Sequence, residues 1–429
     1  MKMDIRADCA AGKDRSVCLA CGAALPEEPL AVFSDMPASA QDIPAADEVS
    51  LDHGVQLKLC QCTACGLVQF SCEPVTYYKE VIRAVGLSET MCALRRADYR
   101  HLVEDYGLSG QKLIECGCGN GAFLEVLREF PVQIYGMEAD RAQAETAEQR
   151  LNQQDALDGK ESKSWKNLGS CRIYNAFPDT AELELPDAPF DCFLSFNFLE
   201  HQPDPRAMLG AMYRNLRPGG IGLITVPSFE YIIEAGRYYE LIRDHIANYS
   251  MDALCCLCQS CGFTVLEQGF LGIGDTLRVI VKKPECEDSQ RGQSRFKKEA
   301  PVNLLDVSPL LKNYQSMREE LSQYLSRLEK EGRSIAMWGA SHQGFTIAAT
   351  TALAQQVRYI IDSAPFKQGR FAPASHIPIV SPEHFFEEPV DVILIAAPGY
   401  RAEIEQRIRE CYAAYPKLKV CDLIDLRER

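Results

Sequence analysis

Two short turns of the same design, Cys18-Leu-Ala-Cys21-Gly22 and Cys62-Thr-Ala-Cys65-Gly66, stand near the start of a 429-residue chain that holds 19 cysteines. Four thiolates suit tetrahedral zinc, and the glycine after each second cysteine permits a tight turn that aims backbone N–H groups at sulfur. Cys18, Cys21, Cys62 and Cys65 are therefore expected to hold a structural zinc ion, with no ligand position left for a catalytic water. The alternative is four reduced cysteines in a metal-free loop domain. Cys60 fits neither turn and reads as a bystander. Residues 1–80 carry six Lys/Arg against twelve Asp/Glu, whereas a nucleic-acid finger needs a basic face.

A second cluster, Glu115-Cys116-Gly117-Cys118-Gly119-Asn120-Gly121, closes an apolar strand and opens a helix. Its glycines let the backbone approach a ligand beneath a helix N-terminus. The spacing is Glu-x-Gly-x-Gly-x-Gly, not the dinucleotide pattern Gly-x-Gly-x-x-Gly. The next strand ends on Glu138, a carboxylate placed to take both hydroxyls of a ribose. A third loop, Gly339-Ala340-Ser341-His342-Gln343-Gly344, also follows a strand. It lacks the Lys-Ser/Thr of a P-loop, so nucleotide hydrolysis is not indicated. Downstream, Lys367 and Arg370 are either solvated cations or ligands for a substrate's phosphates. The run Cys255-Cys256-Leu257-Cys258 with Cys261 reads as helix packing, since free cysteine behaves as a small hydrophobe.

Positioning these groups requires alternating strands and helices. Apolar runs at 112–116, 133–138, 190–196, 222–226 and 277–282 predict one α/β sheet, and runs at 334–338, 357–361, 390–396 and 419–423 predict another. Between them, 283–302 is polar and bounded by prolines, as a linker is. Apolar positions near 3.6-residue spacing predict a helix from Leu310 to Glu331. Composition is ordinary for a globular chain, with 46% hydrophobic and 24% charged residues and a net charge of −15. That charge opposes nucleic-acid or anionic-membrane contact. No apolar run approaches membrane-spanning length and the N-terminus lacks a secretory pattern, so a cytoplasmic protein is expected.

The glycine loop, Glu138, the Asn175-Ala176-Phe177 segment, Asn197 with Leu199-Glu200-His201, and Leu216-Arg217-Pro218-Gly219-Gly220 resemble, in that order, the class I S-adenosylmethionine (SAM) methyltransferases over about residues 95–283. The resemblance implies cofactor contacts at Glu115, Gly117, Gly119, Glu138, Ala176 and Asn197, with His201 shaping the pocket. With the two cysteine turns and the Lys367-Gln368-Gly369-Arg370…His376-Ile377-Pro378-Ile379 segment, almost the whole chain is similar to three-part sugar C-methyltransferases.

That family implies an α/β protein: a class I Rossmann-like domain (91–285) between an N-terminal zinc-knuckle domain (1–90) and, after a linker (286–309), a C-terminal Rossmann-like substrate domain (310–429). It implies SAM and structural zinc as cofactors and a nucleotide-linked keto-deoxysugar as substrate, methylated on carbon through an enolate. The family's Tyr-x-Glu-His segment matches Ile242-Arg243-Asp244-His245. His245 is then the expected base, Asp244 replaces the glutamate, and Tyr78 of the Tyr77-Tyr78 pair is the expected active-site tyrosine. Ile242 stands where the family has another tyrosine. The alternatives are O- or N-methylation of another small molecule, or SAM binding without catalysis.

Overall fold

The computed structural model describes residues 15–80, 88–157, 171–285, 302, 304–397 and 401–424. The N-terminal region contributes strands β1 (Ala31–Met36), β2 (Val55–Gln61) and β3 (Val68–Phe70). There follow α1 (Glu89–Asp105), β4 (Lys112–Cys116), α2 (Ala122–Leu127), β5 (Gln133–Glu138), α3 (Arg141–Leu157) and β6 (Arg172–Asn175). The central region continues with β7 (Phe190–Phe196), α4 (Pro205–Asn215), β8 (Leu216–Pro227), α5 (Phe229–Glu234) and β9 (Ala247–Asn248). It closes with α6 (Met251–Ser260), β10 (Thr264–Leu271) and β11 (Thr276–Lys282). The C-terminal region holds α7 (Ser308–Lys330), β12 (Ile335–Trp338), α8 (His342–Thr350), α9 (Leu353–Gln356) and β13 (Val357–Ile361). Last come β14 (Ile379–Val380), α10 (His384–Glu387), β15 (Val392–Ile395), α11 (Arg401–Cys411) and β16 (Lys419–Asp422).

Local chemistry explains several boundaries. Ser88, Asp204, Ser250 and Ser341 each precede a helix, and each side chain accepts the N–H three residues on, which supplies a partner to an otherwise orphaned donor. Pro205 adds the fixed φ that suits a first helical turn. Every residue of β7 is buried, as expected of a strand covered on both faces.

The central sheet runs β10-β11-β8-β7-β4-β5-β6. Strands β4 to β8 are parallel, while β11 lies antiparallel to both β8 and β10. The C-terminal sheet is all parallel, in the order β14-β13-β12-β15-β16. In both sheets the strand order reverses beside the first strand, and ligands of open α/β sheets bind at such a switch point, outside the carboxyl ends of the strands.

The small sheet, β1-β2-β3-β9, is the unexpected one. Its fourth strand comes from the central region: Val68 pairs with Asn248 and Gln69 with Ala247. Most of the expected linker, 286–301, lies outside the described residues. No helix among the described residues is long and apolar enough to cross a membrane.

Candidate active site

The loop after β4 is built for close approach. Gly117, Gly119 and Gly121 all have φ between +54° and +77°, the left-handed region that suits glycine. A Cβ on Gly117 would strike the Phe198 ring at 2.4 Å, whereas one on Gly119 would meet nothing within 4 Å. Gly119 thus leaves an open cradle. Beneath it, Glu138 Oε2 accepts the Gly119 N–H at 2.8 Å and Oε1 accepts the Asp140 N–H at 3.0 Å. These bonds fix the carboxylate at the sheet edge, although burial raises its proton affinity. Glu115 lies fully buried under the loop, and Ala176 is held where its N–H meets the Glu138 carbonyl at 3.1 Å. Asn197 follows β7 with φ +48°, and its Oδ1 accepts from Thr225 Oγ1 at 3.2 Å.

Arg95 on α1 was not singled out in the sequence. It is buried, stacks 3.8 Å from the Phe196 ring centroid, bonds Asp98 at 2.9 Å, and reaches Thr225 Oγ1 at 3.4 Å. Its charge is felt by Glu115 under the loop. A charged residue on an otherwise ordinary helix gives no signal by spacing alone.

The segment expected to carry the base, residues 242–246, sits where three regions meet. His201 Nδ1 lies 2.8 Å from the Asp244 carbonyl; a carbonyl only accepts, so Nδ1 carries the proton and Nε2 keeps its lone pair. The His245 ring stands edge-on to His201, 4.8 Å between centroids. One donor atom from each of Glu200, His201 and His245 falls within 4.8 Å of the others. Burial, with the charges of His201 and His342 added, drives the His245 proton affinity well below the ordinary histidine value. His245 is therefore neutral at pH 7.

Asp244 is fixed from the N-terminal side. Its Oδ2 accepts the Ala40 N–H at 2.9 Å, and its Oδ1 accepts the Tyr77 hydroxyl at 2.6 Å. Burial and the Asp244 charge push the Tyr77 hydroxyl well above its usual range, so it remains a donor. Tyr78 is turned elsewhere by the 3-10 turn it opens: its ring packs edge-on against Phe177, 5.7 Å between centroids. The structure thus brings Tyr77, not Tyr78, to Asp244. Arg243 donates to the carbonyls of Glu73, Ala38 and Pro74 at 3.1, 3.3 and 3.4 Å, and the Ile246 carbonyl accepts the Phe70 N–H at 3.1 Å.

The C-terminal cations Lys367 and Arg370 make contacts within the protein. Lys367 Nζ donates to the Ala340 carbonyl at 2.7 Å and to Asp362 Oδ2 at 3.4 Å, and Arg370 donates to the Ile43 carbonyl at 2.8 Å. His376 Nε2 meets Asp52 Oδ2 at 2.9 Å, and the Phe371 N–H meets the Pro44 carbonyl at 2.9 Å. The segment from Arg370 to His376 therefore clasps the N-terminal region, with one Nη1–H of Arg370 given to the Ile43 carbonyl.

The four knuckle sulfurs lie within 4.8 Å of one another, with Cys18–Cys65 and Cys21–Cys62 both at 3.5 Å. Both turns share one hydrogen-bond plan. Gly22 N–H meets the Cys18 carbonyl and Gly66 N–H the Cys62 carbonyl, each at 2.9 Å, with the glycines at φ +71° and +81°. Hydrogen bonds from Cys18 and Cys65 hold the Cys62 thiol far below its ordinary range, while Cys18 and Cys65 are pushed up. One thiolate site so crowded by others fits a tetrahedral cation. The cysteine run lies on α6 as expected, with Cys258 fully buried and Cys256 near enough to feel Cys21 and Cys62.

Two family profiles match in tandem: "Methyltransferase domain" over residues 91–268 and "C-methyltransferase C-terminal domain" over 273–419. The chain belongs to the SAM-dependent C-methyltransferase family. It is 23% identical over 321 residues to the C-methyltransferase NovU of Streptomyces niveus, covering 72% of this chain and 71% of that one. A 27-O-demethylrifamycin SV methyltransferase of Amycolatopsis mediterranei is 30% identical over 34% of this chain and 50% of its own. Among solved structures, magnesium protoporphyrin IX methyltransferase from Synechocystis PCC 6803 with bound SAM is 14% identical, covering 48% of this chain and 93% of that one. Its TM-score is 0.35. The methyltransferase has the class I α/β fold and uses SAM. The open cradle at Gly119, above a carboxylate already oriented by two N–H groups, fits the cofactor's ribose and adjoining chain.

Proposed function

We propose that this methyltransferase transfers a methyl group to carbon beside the ketone of a nucleotide-linked keto-deoxysugar. Bound SAM would supply an electrophilic methyl group. His245 takes the proton from that carbon onto its free imidazole nitrogen, and the electron pair left behind forms an enolate whose carbon receives the methyl. Tyr77 and Asp244 fix the base segment, and His201 confines the ring. Glu138, Gly119, Gly117, Glu115, Ala176 and Asn197 are the proposed cofactor contacts. Cys18, Cys21, Cys62 and Cys65 are proposed to hold one structural zinc ion.

The observation that carries this reading is the His245 imidazole set edge-on to His201, 4.8 Å between centroids, with its proton affinity lowered by burial and by His201 and His342. A base of such low proton affinity is ready at pH 7 but weak, and neighbouring negative charge strengthens it. An anionic nucleotide is a substrate that brings that charge with it. The test is solvent-deuterium exchange at the carbon beside the ketone, in zinc-loaded enzyme with S-adenosylhomocysteine bound. Exchange that disappears in His245→Gln is expected. Methyl transfer to oxygen without exchange would overturn the carbon assignment.

A further inference from the structure

Besides the four knuckle cysteines, one other cluster of metal-ligating side chains stands among the described residues: Glu200, His201 and His245. Glu200 and His201 belong to the 3-10 turn Leu199–His201 after β7, and His245 lies in the segment before β9. Each offers one donor atom, and the three donors fall within 4.8 Å of one another, the same limit that encloses the knuckle sulfurs.

The chemistry of this place favours a cation. His201 Nδ1 gives its proton to the Asp244 carbonyl, so Nε2 keeps a lone pair, and it stands 3.9 Å from Glu200 Oε1. Glu200 is 2% and His201 8% exposed. Two acceptors so placed, away from water, repel unless positive charge comes between them. Two histidines and a glutamate are a known zinc ligand set, three protein ligands with the fourth position open. Tetrahedral donors around such an ion sit about 3.3 Å apart, so the widest pair has to close by about 1.5 Å at most. The outer support that metal-bound histidines need is already built. The Asp244 carbonyl orients His201, and the Tyr77 hydroxyl and Ala40 N–H pin Asp244 in turn. His245 is only half-buried, which leaves an ion a way in. Imidazole donors select zinc, cobalt or nickel over magnesium and calcium, which prefer oxygen.

We propose that Glu200, His201 and His245 form a second site, for a labile divalent transition-metal ion, and that this ion switches the enzyme off by taking the His245 lone pair. The site itself stands on the geometry; the inhibition rests on His245 as the base. With one carboxylate and two imidazoles in place of four thiolates, the ion is held far more weakly than at the knuckles. Dialysed protein therefore keeps one zinc and takes the second only on titration.

The test uses the full chain with its knuckle zinc in place and S-adenosylhomocysteine bound. Cobalt(II) titrated into it is expected to saturate at one further ion per chain, with visible d–d bands and no thiolate-to-cobalt charge-transfer band. Losing an outer partner costs a metal site about 10–100-fold and losing a ligand costs more, so His201→Gln and Glu200→Gln should each weaken uptake about 100-fold or more. The knuckle zinc, retained in both, reports that the variants are folded. Zinc added beyond the first equivalent should suppress deuterium exchange at the carbon beside the ketone, and a weak chelator should restore it. No uptake of a second ion, a thiolate band, or undiminished uptake in both variants overturns the site while leaving His245 as the base. Uptake that leaves exchange untouched keeps the site and overturns the inhibition together with His245 as the base.

Discussion

Arg243→Met should separate catalysis from cofactor binding. The guanidinium is 5% exposed and donates to three carbonyls, those of Glu73, Ala38 and Pro74, at 3.1–3.4 Å. Bonds of that length fall at the weak end of the range for a charged donor, about 1 kcal/mol each, so about 3 kcal/mol of the docking between base segment and N-terminal region goes with them. At about 1.4 kcal/mol per tenfold, the docked population falls by up to ~100-fold, and kcat with it. The cofactor loop lies on other elements, so affinity for S-adenosylhomocysteine should hold. Initial rates, calorimetry of S-adenosylhomocysteine, and amide exchange at Phe70, whose N–H meets the Ile246 carbonyl, give three separate readouts. A variant with unchanged kcat, or one that loses cofactor affinity in proportion to rate, refutes the idea that Arg243 aligns the base.

Tyr77→Phe removes the hydroxyl that holds Asp244 and should lower kcat about tenfold, the worth of one hydrogen bond to a charged group, while Tyr78→Phe should leave it near the original value; equal losses in steady-state assays would contradict this. Burial lowers the proton affinity of both His201 and His245. In the unfolded chain both titrate near pH ~6.5, so the folded state binds fewer protons below it, and stability present above that pH is lost as pH falls. The Tm should drop between about pH 7 and 5, and less steeply in His201→Gln; an identical slope in the variant argues against the assignment. The acid limb of kcat/KM should lie below about pH 6.5, and a limb at neutral pH would be inconsistent with a neutral His245. Metal analysis should return one zinc per chain, and a chelator that strips it should abolish transfer while S-adenosylhomocysteine still binds; activity that survives complete zinc removal refutes a structural role.

The strands and glycine loop of the central sheet were legible because their signals are local. Strands β4, β5 and β7 begin and end where apolar runs do, and Gly117 to Gly121 sit beside them in sequence. The four knuckle thiols were legible for the same reason. What escaped depends on contacts across the chain. The capture of Ala247 and Asn248 by β3 involves a two-residue strand, too short for any periodic pattern. Whether Tyr77 or Tyr78 meets Asp244 turns on the rotation of one 3-10 turn, which adjacent identical residues conceal. The bond from Arg370 to the Ile43 carbonyl could not be foreseen, because the two lie more than 300 residues apart.

The borrowed strand β9 makes the chain inseparable at its most obvious seam. A fragment of the N-terminal residues alone would present β3 with one row of N–H and C=O groups open to solvent, a ready template for a second chain. A fragment lacking those residues would keep its cofactor cradle, yet its base segment would hang from one side with nothing to pair against. Exchange of these modules between related enzymes is therefore constrained at Gln69 and Ala247, the pair where one region's sheet closes on the loop that carries His245.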